Sequence, residues 1–178
     1  MNQRPLADVP RNIIGLALLA FALQFAMHFT TAKPVAHAED LSYPPPIAWL
    51  KAASLGEPVS AGKWWMLDLQ AFDNQPGISI PFLQLDYGKV IAWLDRILGL
   101  DPGGQYPLLF ASRLYGEVPD PAKQRLMLDF VYRKFLEDPD RRWPWLAHAV
   151  VVARHRLGDL PLARTYARAL REIGRAHV

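Results

Sequence analysis

One apolar stretch near the amino terminus constrains the fold more than any other feature of the 178-residue chain. Between residues 13 and 29 only Gly15, Gln24 and His28 interrupt the apolar side chains, and no residue carries a formal charge. A helix over residues 12–32 would be about 30 Å long at 1.5 Å per residue, which matches the hydrocarbon core of a bilayer. The stretch therefore predicts a membrane-spanning helix.

The charges around this stretch predict its orientation. Arg4 and Arg11 precede it together with the α-amine, whereas Lys33 after it is soon followed by acidic residues. Positive charges that flank a membrane helix favour the cytoplasmic side. We therefore predict that residues 1–11 are a short cytoplasmic segment. In a bacterial-type cell this makes a single-pass protein of the inner membrane with a periplasmic carboxyl-terminal domain.

The same stretch also fits a cleaved signal peptide. Ala36, His37 and Ala38 form a small-residue motif of the kind that precedes a cut, here after Ala38. Against cleavage, the apolar run is longer than the roughly 7–15 residues of a typical signal peptide. A third interpretation, a buried helix of a soluble protein, requires a polar face that residues 13–22 lack. A cleaved chain would be released into the periplasm.

Composition narrows the classes of function. The chain has no cysteine, which excludes disulfides, cysteine-ligated zinc and thiol catalysis. Residues 39–140 carry a net charge of −5, and residues 141–178 carry a net charge of +6. A nucleic-acid-binding protein usually spreads positive charge over its binding surface. The local basic segment instead favours an acidic protein or an anionic lipid as partner, or packing against the acidic segment of the same chain.

The rest of the chain predicts a short linker and a helical domain. Residues 33–46 end in three successive prolines, which favour a stiff polyproline spacer. Over residues 47–178 prolines and glycines separate segments with helical periodicity, and only residues 78–80 suggest a strand. The seven candidate helices cover residues 47–55, 58–72, 86–100, 107–115, 121–137, 143–157 and 160–173.

A pattern of a tyrosine, spaced apolar residues and a closing turn occupies the third candidate helix and the turn after it. The matching positions are Tyr87, Val90, Leu94, Ile97 and Pro102. This pattern resembles the second helix of a tetratricopeptide repeat, and residues 108–115 and 157–163 resemble parts of further repeats. The resemblance implies antiparallel helix pairs stacked around a concave groove that holds peptides or partner proteins, without catalysis.

Three segments depart from the regular repeat. The loop over residues 73–81 is too long for a repeat turn, residues 118–121 lengthen the next turn, and the turn over residues 137–139 is out of phase. The period of about 34 residues is therefore blurred. We predict an all-α fold, in which the transmembrane helix is followed by a divergent tetratricopeptide-like array of six or seven helices.

Four arginines mark one candidate interaction site. Arg164, Arg168, Arg171 and Arg175 are spaced by four, three and four residues, which places them on one face of the last helix. Guanidinium groups in a row suit carboxylates, phosphates or lipid head groups. The plainer interpretation is a solvated face on the terminal helix, where cations near the carboxyl end are favourable.

The long break over residues 73–81 is a second candidate. Asp73, Asn74 and Gln75 offer a carboxylate and two amides, and loops often carry function. A small molecule could bind in a helical pocket under this loop, which would make the protein an exported binding protein or an accessory enzyme subunit. The plainer interpretation is capping of the preceding helix and formation of a turn.

No catalytic signature accompanies these candidates. His148 and His155 share a helix face, but no carboxylate stands at helical spacing beside them to complete a metal site. We therefore expect no metal, no cofactor and no catalysis. The sequence favours a membrane-tethered, extracytoplasmic interaction or scaffold module that binds a protein partner of acidic character. If the orientation were reversed, the domain would be a cytoplasmic assembly factor.

The anchor interpretation predicts that the mature protein keeps its apolar stretch. We expect sequencing of the amino terminus of protein isolated from membranes to find no cut after Ala38, because the run is too long for a typical signal peptide. A mature chain that starts at Glu39 would contradict the anchor and establish the signal peptide.

Overall fold

The computed structural model describes residues 9–30 and 38–176, with side chains of the last helix described as far as Ile173. The chain divides into two compact units, residues 1–36 and residues 37–178. Within the described ranges, every buried apolar side chain belongs to the second unit.

The first unit contains one helix, α1 (Arg11–Thr30). It starts directly after Pro10, whose carbonyl accepts hydrogen bonds from the backbone N–H groups of Ile13 and Ile14. All twenty of its residues are exposed, and it is long and apolar enough to cross a membrane. The described part of the span predicted over residues 12–32 is therefore helical, whereas the predicted end lies outside the described residues.

The second unit is helical, as the sequence predicted. Its described helices are α2 (Ile47–Ala53), α3 (Pro58–Ala71), α4 (Tyr87–Leu100), α5 (Tyr106–Arg113), α6 (Pro121–Glu137), α7 (Pro139–His155) and α8 (Leu160–Ala176). Two short strands, β1 (Asn74–Gln75) and β2 (Ile78–Ser79), pair as an antiparallel hairpin between α3 and α4. The strand suggested near residue 78 is thus real but minimal.

The helices pack largely in chain order. Each helix from α3 to α7 contacts the one that follows it, while α4 also contacts α6 and α5 also contacts α7. The α2 helix packs against α3 and α4. One continuous core runs through this unit, from Met66 on α3 to Tyr166 on α8.

Capping aspartates start several of the helices. Asp120 precedes Pro121 at the start of α6, and its carboxylate accepts hydrogen bonds from the backbone N–H groups of Ala122 at 2.9 Å and Lys123 at 3.1 Å. Asp86 caps α4 in the same way. An aspartate followed by proline at the first helical position is a strong start signal, and for α6 the prediction is confirmed.

The start of α7 differs from the prediction. The sequence placed it at Trp143 or Pro144, but the helix already begins at Pro139, and Asp138 alone separates it from α6. Pro144 lies within the helix and misled the prediction, because a proline usually marks the first turn. As a consequence Arg142 lies inside the helix, where it is buried.

The end of the last helix also differs. Gly174 was predicted to stop it, yet the backbone remains helical through Ala176. A glycine within a helix costs only about 1 kcal/mol relative to alanine, so other contacts can carry the helix through it.

The proline-rich segment, which comprises residues 39–46, belongs to the helical unit. It has no regular structure, as its prolines predict, but Leu41 is buried in the core. The indole N–H of Trp93 donates to the Ser42 carbonyl at 2.7 Å, and the Arg96 side chain donates to the Pro45 carbonyl at 3.3 Å. This part of the predicted linker over residues 33–46 is therefore fixed to the domain and is no free spacer.

Candidate functional site

The last helix presents the predicted arginines because its other side is fixed to the core. Ala163 and Tyr166 are buried, and the Tyr166 ring lies 5.0 Å from that of Tyr132 on α6. At the start of α8 Asp159 accepts a hydrogen bond from the Leu162 backbone N–H at 3.0 Å. These contacts determine which face of α8 points outward.

Arg164, Arg168 and Arg171, which we name the arginine face, lie on the outward side and are exposed. Within the described part of the chain, none of the ion pairs includes any of the three. The backbone of Arg175 continues the same helical row, but its side chain lies outside the described residues. The row predicted from the spacing therefore exists, and three of its members are placed.

Other arginines of the basic segment do find acidic partners. Arg142 pairs with Glu137 at 3.1 Å, Arg141 pairs with Asp138 at 2.9 Å, and the Arg156 side chain reaches Glu117. The acidic middle of the chain thus neutralises part of the basic segment, as the charge distribution allowed. It does so through these arginines and not through the arginine face.

The hairpin over residues 73–81 has a structural use. The Gln75 side chain accepts a hydrogen bond from the Glu39 N–H at 2.8 Å and donates to the Glu39 carbonyl at 3.0 Å. Gly77 provides the left-handed backbone conformation of the turn, with φ of 78°. Asn74 is exposed, and Asp73 is half-buried. Gln75 therefore holds the proline-rich segment, a role that its place in a loop did not indicate.

Three surface cavities of the helical unit lie elsewhere. One of about 300 Å³ lies between α4 and α6 and is lined by Asp95, Lys134 and Glu137 among others. The second adjoins it, and the third lies between α3 and α5. None of these three cavities is lined by the hairpin residues, so none of them supports the predicted small-molecule pocket under residues 73–81.

An ionic cluster, formed by Asp95, Lys134, Glu137 and Arg142, is a feature that sequence reasoning missed. Lys134 Nζ lies 2.6 Å from an Asp95 oxygen and 2.7 Å from a Glu137 oxygen. The buried Arg142 guanidinium donates to the Lys134 carbonyl at 2.6 Å and to the Pro102 carbonyl at 3.3 Å. Lys134 and Glu137 are three residues apart on one helix, a spacing that indicates an ion pair. The other contacts of the cluster join residues that are farther apart in the chain.

The contacts of this cluster shift two pKa values in opposite directions. Burial alone would raise the pKa of Glu137, but hydrogen bonds from Lys134 and Arg142 outweigh it and lower that pKa. Burial alone would lower the pKa of Lys134, but hydrogen bonds to Asp95 and Glu137 raise it. The opposite charges satisfy one another, so the cluster serves stability and leaves little charge free for a ligand.

The two predicted histidines are not brought together as ligands. His148 lies 2.9 Å from a Glu117 oxygen, and the Arg156 guanidinium lies 3.0 Å from the second oxygen of that carboxylate. His155 is exposed. Over residues 9–30 and 38–176, no group of three or more potential ligands is placed to hold a metal ion. The expected absence of metal and cofactor stays a prediction.

Comparison with known proteins adds no further assignment. No model of a protein family matches this chain, and neither the curated proteins nor the solved structures gave a significant match. Any function must therefore be inferred from the chain's own residues, above all from the arginine face.

The ionic cluster predicts a pH dependence of stability. Because the folded state lowers the pKa of Glu137, its contribution to stability is present above the unfolded pKa and is lost as the pH falls through the folded value. We expect Glu137→Gln to lower the free energy of unfolding at neutral pH by less than about 1 kcal/mol, since the carboxylate is half-exposed. The loss should disappear at acid pH.

Urea unfolding of the detergent-solubilised full chain between acid and neutral pH measures this effect. Glu172→Gln, at an exposed glutamate of α8, is the matched control and should keep the wild-type profile. An unaltered acid-side slope in Glu137→Gln would show that the cluster does not carry the dependence.

Proposed function

We propose that this protein is a membrane-tethered, non-catalytic interaction module whose helical domain lies outside the cytoplasm and binds an acidic partner protein. The arginine face is the observation that carries the proposal. It is an ordered row of exposed cations on a helix whose other side is fixed to the core. An acidic protein segment offers the carboxylates that such a row can pair with.

The chemistry of α1 supports the tether. Its large apolar side chains, such as Leu16, Phe21 and Phe29, are all strongly exposed. Exposing a leucine or phenylalanine to water costs about 1.5–3 kcal/mol relative to burying it, and a bilayer removes that cost along the whole helix. The positive charges before the helix support an orientation with the amino terminus in the cytoplasm.

The packing of the helices supports a scaffold of the tetratricopeptide type. Contacts between consecutive helices, together with those between α4 and α6 and between α5 and α7, are what stacked helix hairpins require. Tyr87 is buried at the start of α4, and its hydroxyl donates to the Tyr115 carbonyl at 3.1 Å. Val90, Leu94 and Ile97 are buried along the same helix, at the positions that carry the resemblance.

Release after cleavage is the alternative that one observation favours. Among the described residues, Glu39 is held to the helical domain, because its backbone N–H and its carbonyl are both hydrogen-bonded to the Gln75 side chain. Glu39 directly follows the candidate cleavage site at Ala38. A cut there would leave the described contacts of the domain complete, so cleavage would change the location and not the binding surface.

The proposed binding mode predicts a specific loss when the arginine face is removed. We expect Arg164/Arg168/Arg171→Ala to recover at least about tenfold less of the acidic partner after cross-linking in membranes, because several charge-assisted contacts disappear together. Quantitative mass spectrometry of the captured proteins gives the measurement. Binding by the wild-type chain should weaken as salt is added, and the binding that remains in the variant should be less sensitive to salt.

A matched control removes the same charge elsewhere. Arg113, Arg133 and Arg154 are exposed on α5, α6 and α7, so Arg113/Arg133/Arg154→Ala changes the net charge equally. This variant should capture the same proteins as the wild type. Equal recovery by both triple variants would make the arginine face an ordinary solvated surface.

The proposed location predicts the behaviour of reporters fused to the carboxyl terminus. A reporter enzyme that is active only in the periplasm should be active, because the residues before α1 carry the positive charge. A cytoplasmic reporter fused at the same place should be silent. The opposite pair of results would move the domain to the cytoplasm and support the assembly-factor interpretation.

A further inference from the structure

Exposed apolar side chains are unevenly distributed over the described residues of the helical domain. Six large ones lie within residues 43–67, namely Tyr43, Trp49, Leu55, Val59, Trp64 and Leu67. Seven others are spread over residues 83–160. Exposed apolar residues that lie next to one another on the surface often mark a binding surface, whereas scattered ones need no explanation.

The packing of α3 explains why two of these residues point outward. Gly62, Met66 and Leu69 are buried on one side of the helix, and Gly62 lies close to α4. Trp64 and Leu67 therefore lie on the opposite side, where 58% and 63% of their surfaces are exposed. We call these two residues the α3 apolar face.

A row of aromatic contacts links this face to the point where the chain enters the domain. The Trp64 ring lies 4.8 Å from that of Trp65, and the Trp65 ring lies 4.9 Å from that of Trp93. Trp93 in turn donates a hydrogen bond to the Ser42 carbonyl. The α3 apolar face is thus two side chains away from the proline-rich segment.

Chain connectivity limits the distance between that segment and the end of α1. Only eight peptide units join Thr30 to Ala38, and they can reach at most about 28 Å. If α1 spans a bilayer, the proline-rich segment cannot leave its vicinity. A tether of this length gives a weak membrane contact a high effective concentration.

We propose that the α3 apolar face rests in the head-group region of the membrane in which α1 is anchored, a contact that depends on the proposed tether. Tryptophan suits this region because its ring is apolar and its indole N–H can remain hydrated. Leu67 supplies apolar area beside it.

The charges near the α3 apolar face indicate that its contact with lipid does not require anionic head groups. Lys63 and Asp68 flank the face on α3, and Lys51 and Glu57 lie on and after α2. Because these charges provide no excess of positive charge, the contact should form on zwitterionic lipid and resist salt. The arginine face, in contrast, is expected to respond to salt.

Site-directed labelling provides the test, since the chain has no cysteine of its own. The full-length Leu67→Cys variant is labelled with a fluorophore and reconstituted into phosphatidylcholine nanodiscs at one copy per disc. The nanodiscs also contain nitroxide-labelled lipid, which quenches a fluorophore that contacts it. Leu136→Cys on α6 is the matched control, with 56% of the leucine exposed. Leu19→Cys within α1 reports on the tether itself.

We expect nitroxide lipid to quench the label at residue 67 at least about twofold, since interfacial side chains enter the head-group and acyl boundary, and to leave residue 136 nearly unaffected. High salt should not change this difference. Adding Trp64→Ser to the labelled chain should reduce the quenching at residue 67. Trp143→Ser, at a tryptophan with 52% of its surface exposed, should not reduce it.

The label on α1 separates the two ways in which the inference can fail. Strong quenching at residue 19 with none at residue 67 would overturn membrane docking while leaving the tether in place. No quenching at residue 19 would overturn the tether and the docking together. Quenching or protection at residue 67 that appears only with two copies per nanodisc would identify a second chain as the occupant, and would overturn the lipid contact.

Discussion

Burial of α4 is the constraint on which the helical domain depends. Seven of its fourteen residues are buried, and it contacts α2, α3, α5 and α6. Each large apolar side chain contributes about 1.5–3 kcal/mol when it is removed from water, so this one helix provides much of the driving force for assembly. Trp93 extends the arrangement beyond the helices, because its indole N–H holds the Ser42 carbonyl of the proline-rich segment. Part of the proline-rich segment is therefore held by the same helix that organises the centre of the domain.

The two units of the chain suit different solvents. Over its described residues, the helical domain buries a continuous apolar core and leaves no buried side-chain polar atom without a hydrogen bond. For example, the Arg142 guanidinium, almost completely buried, is hydrogen-bonded to two carbonyls and to Glu137. The α1 helix, in contrast, exposes every one of its residues. A bilayer makes such exposure favourable, and a helix satisfies its own backbone hydrogen bonds there. The helical domain therefore removes apolar side chains from water by packing them together, whereas α1 would do so only in a bilayer.

Local signals in the sequence were sufficient for most of the helices but not for the contacts between them. The capping Asp120 and the glycines and prolines between helices act over a few residues, so the sequence locates most helix boundaries well. Pro144 was misleading because the residues before it form a helix in spite of the proline, supported by Arg142 contacts that reach back to Pro102. The hold of Gln75 on Glu39 joins residues 36 positions apart, and no local pattern reports it. The spacing predicted the arginine row, and the packing of Tyr166 on the other side of the helix shows that the row faces outward.

The two proposed binding surfaces lie on helices that pack at different places in the domain. The α3 helix packs against α4 near the start of the row of helices, and α8 packs against α7 at its end. The two surfaces also differ in chemistry, because Trp64 and Leu67 need a solvent less polar than water whereas the arginines need counter-charges. If the α3 apolar face contacts lipid, the arginine face keeps its charges, because the two faces lie on different helices. A domain built in this way can be held close to the membrane by its first helices while its last helix remains available to an acidic partner.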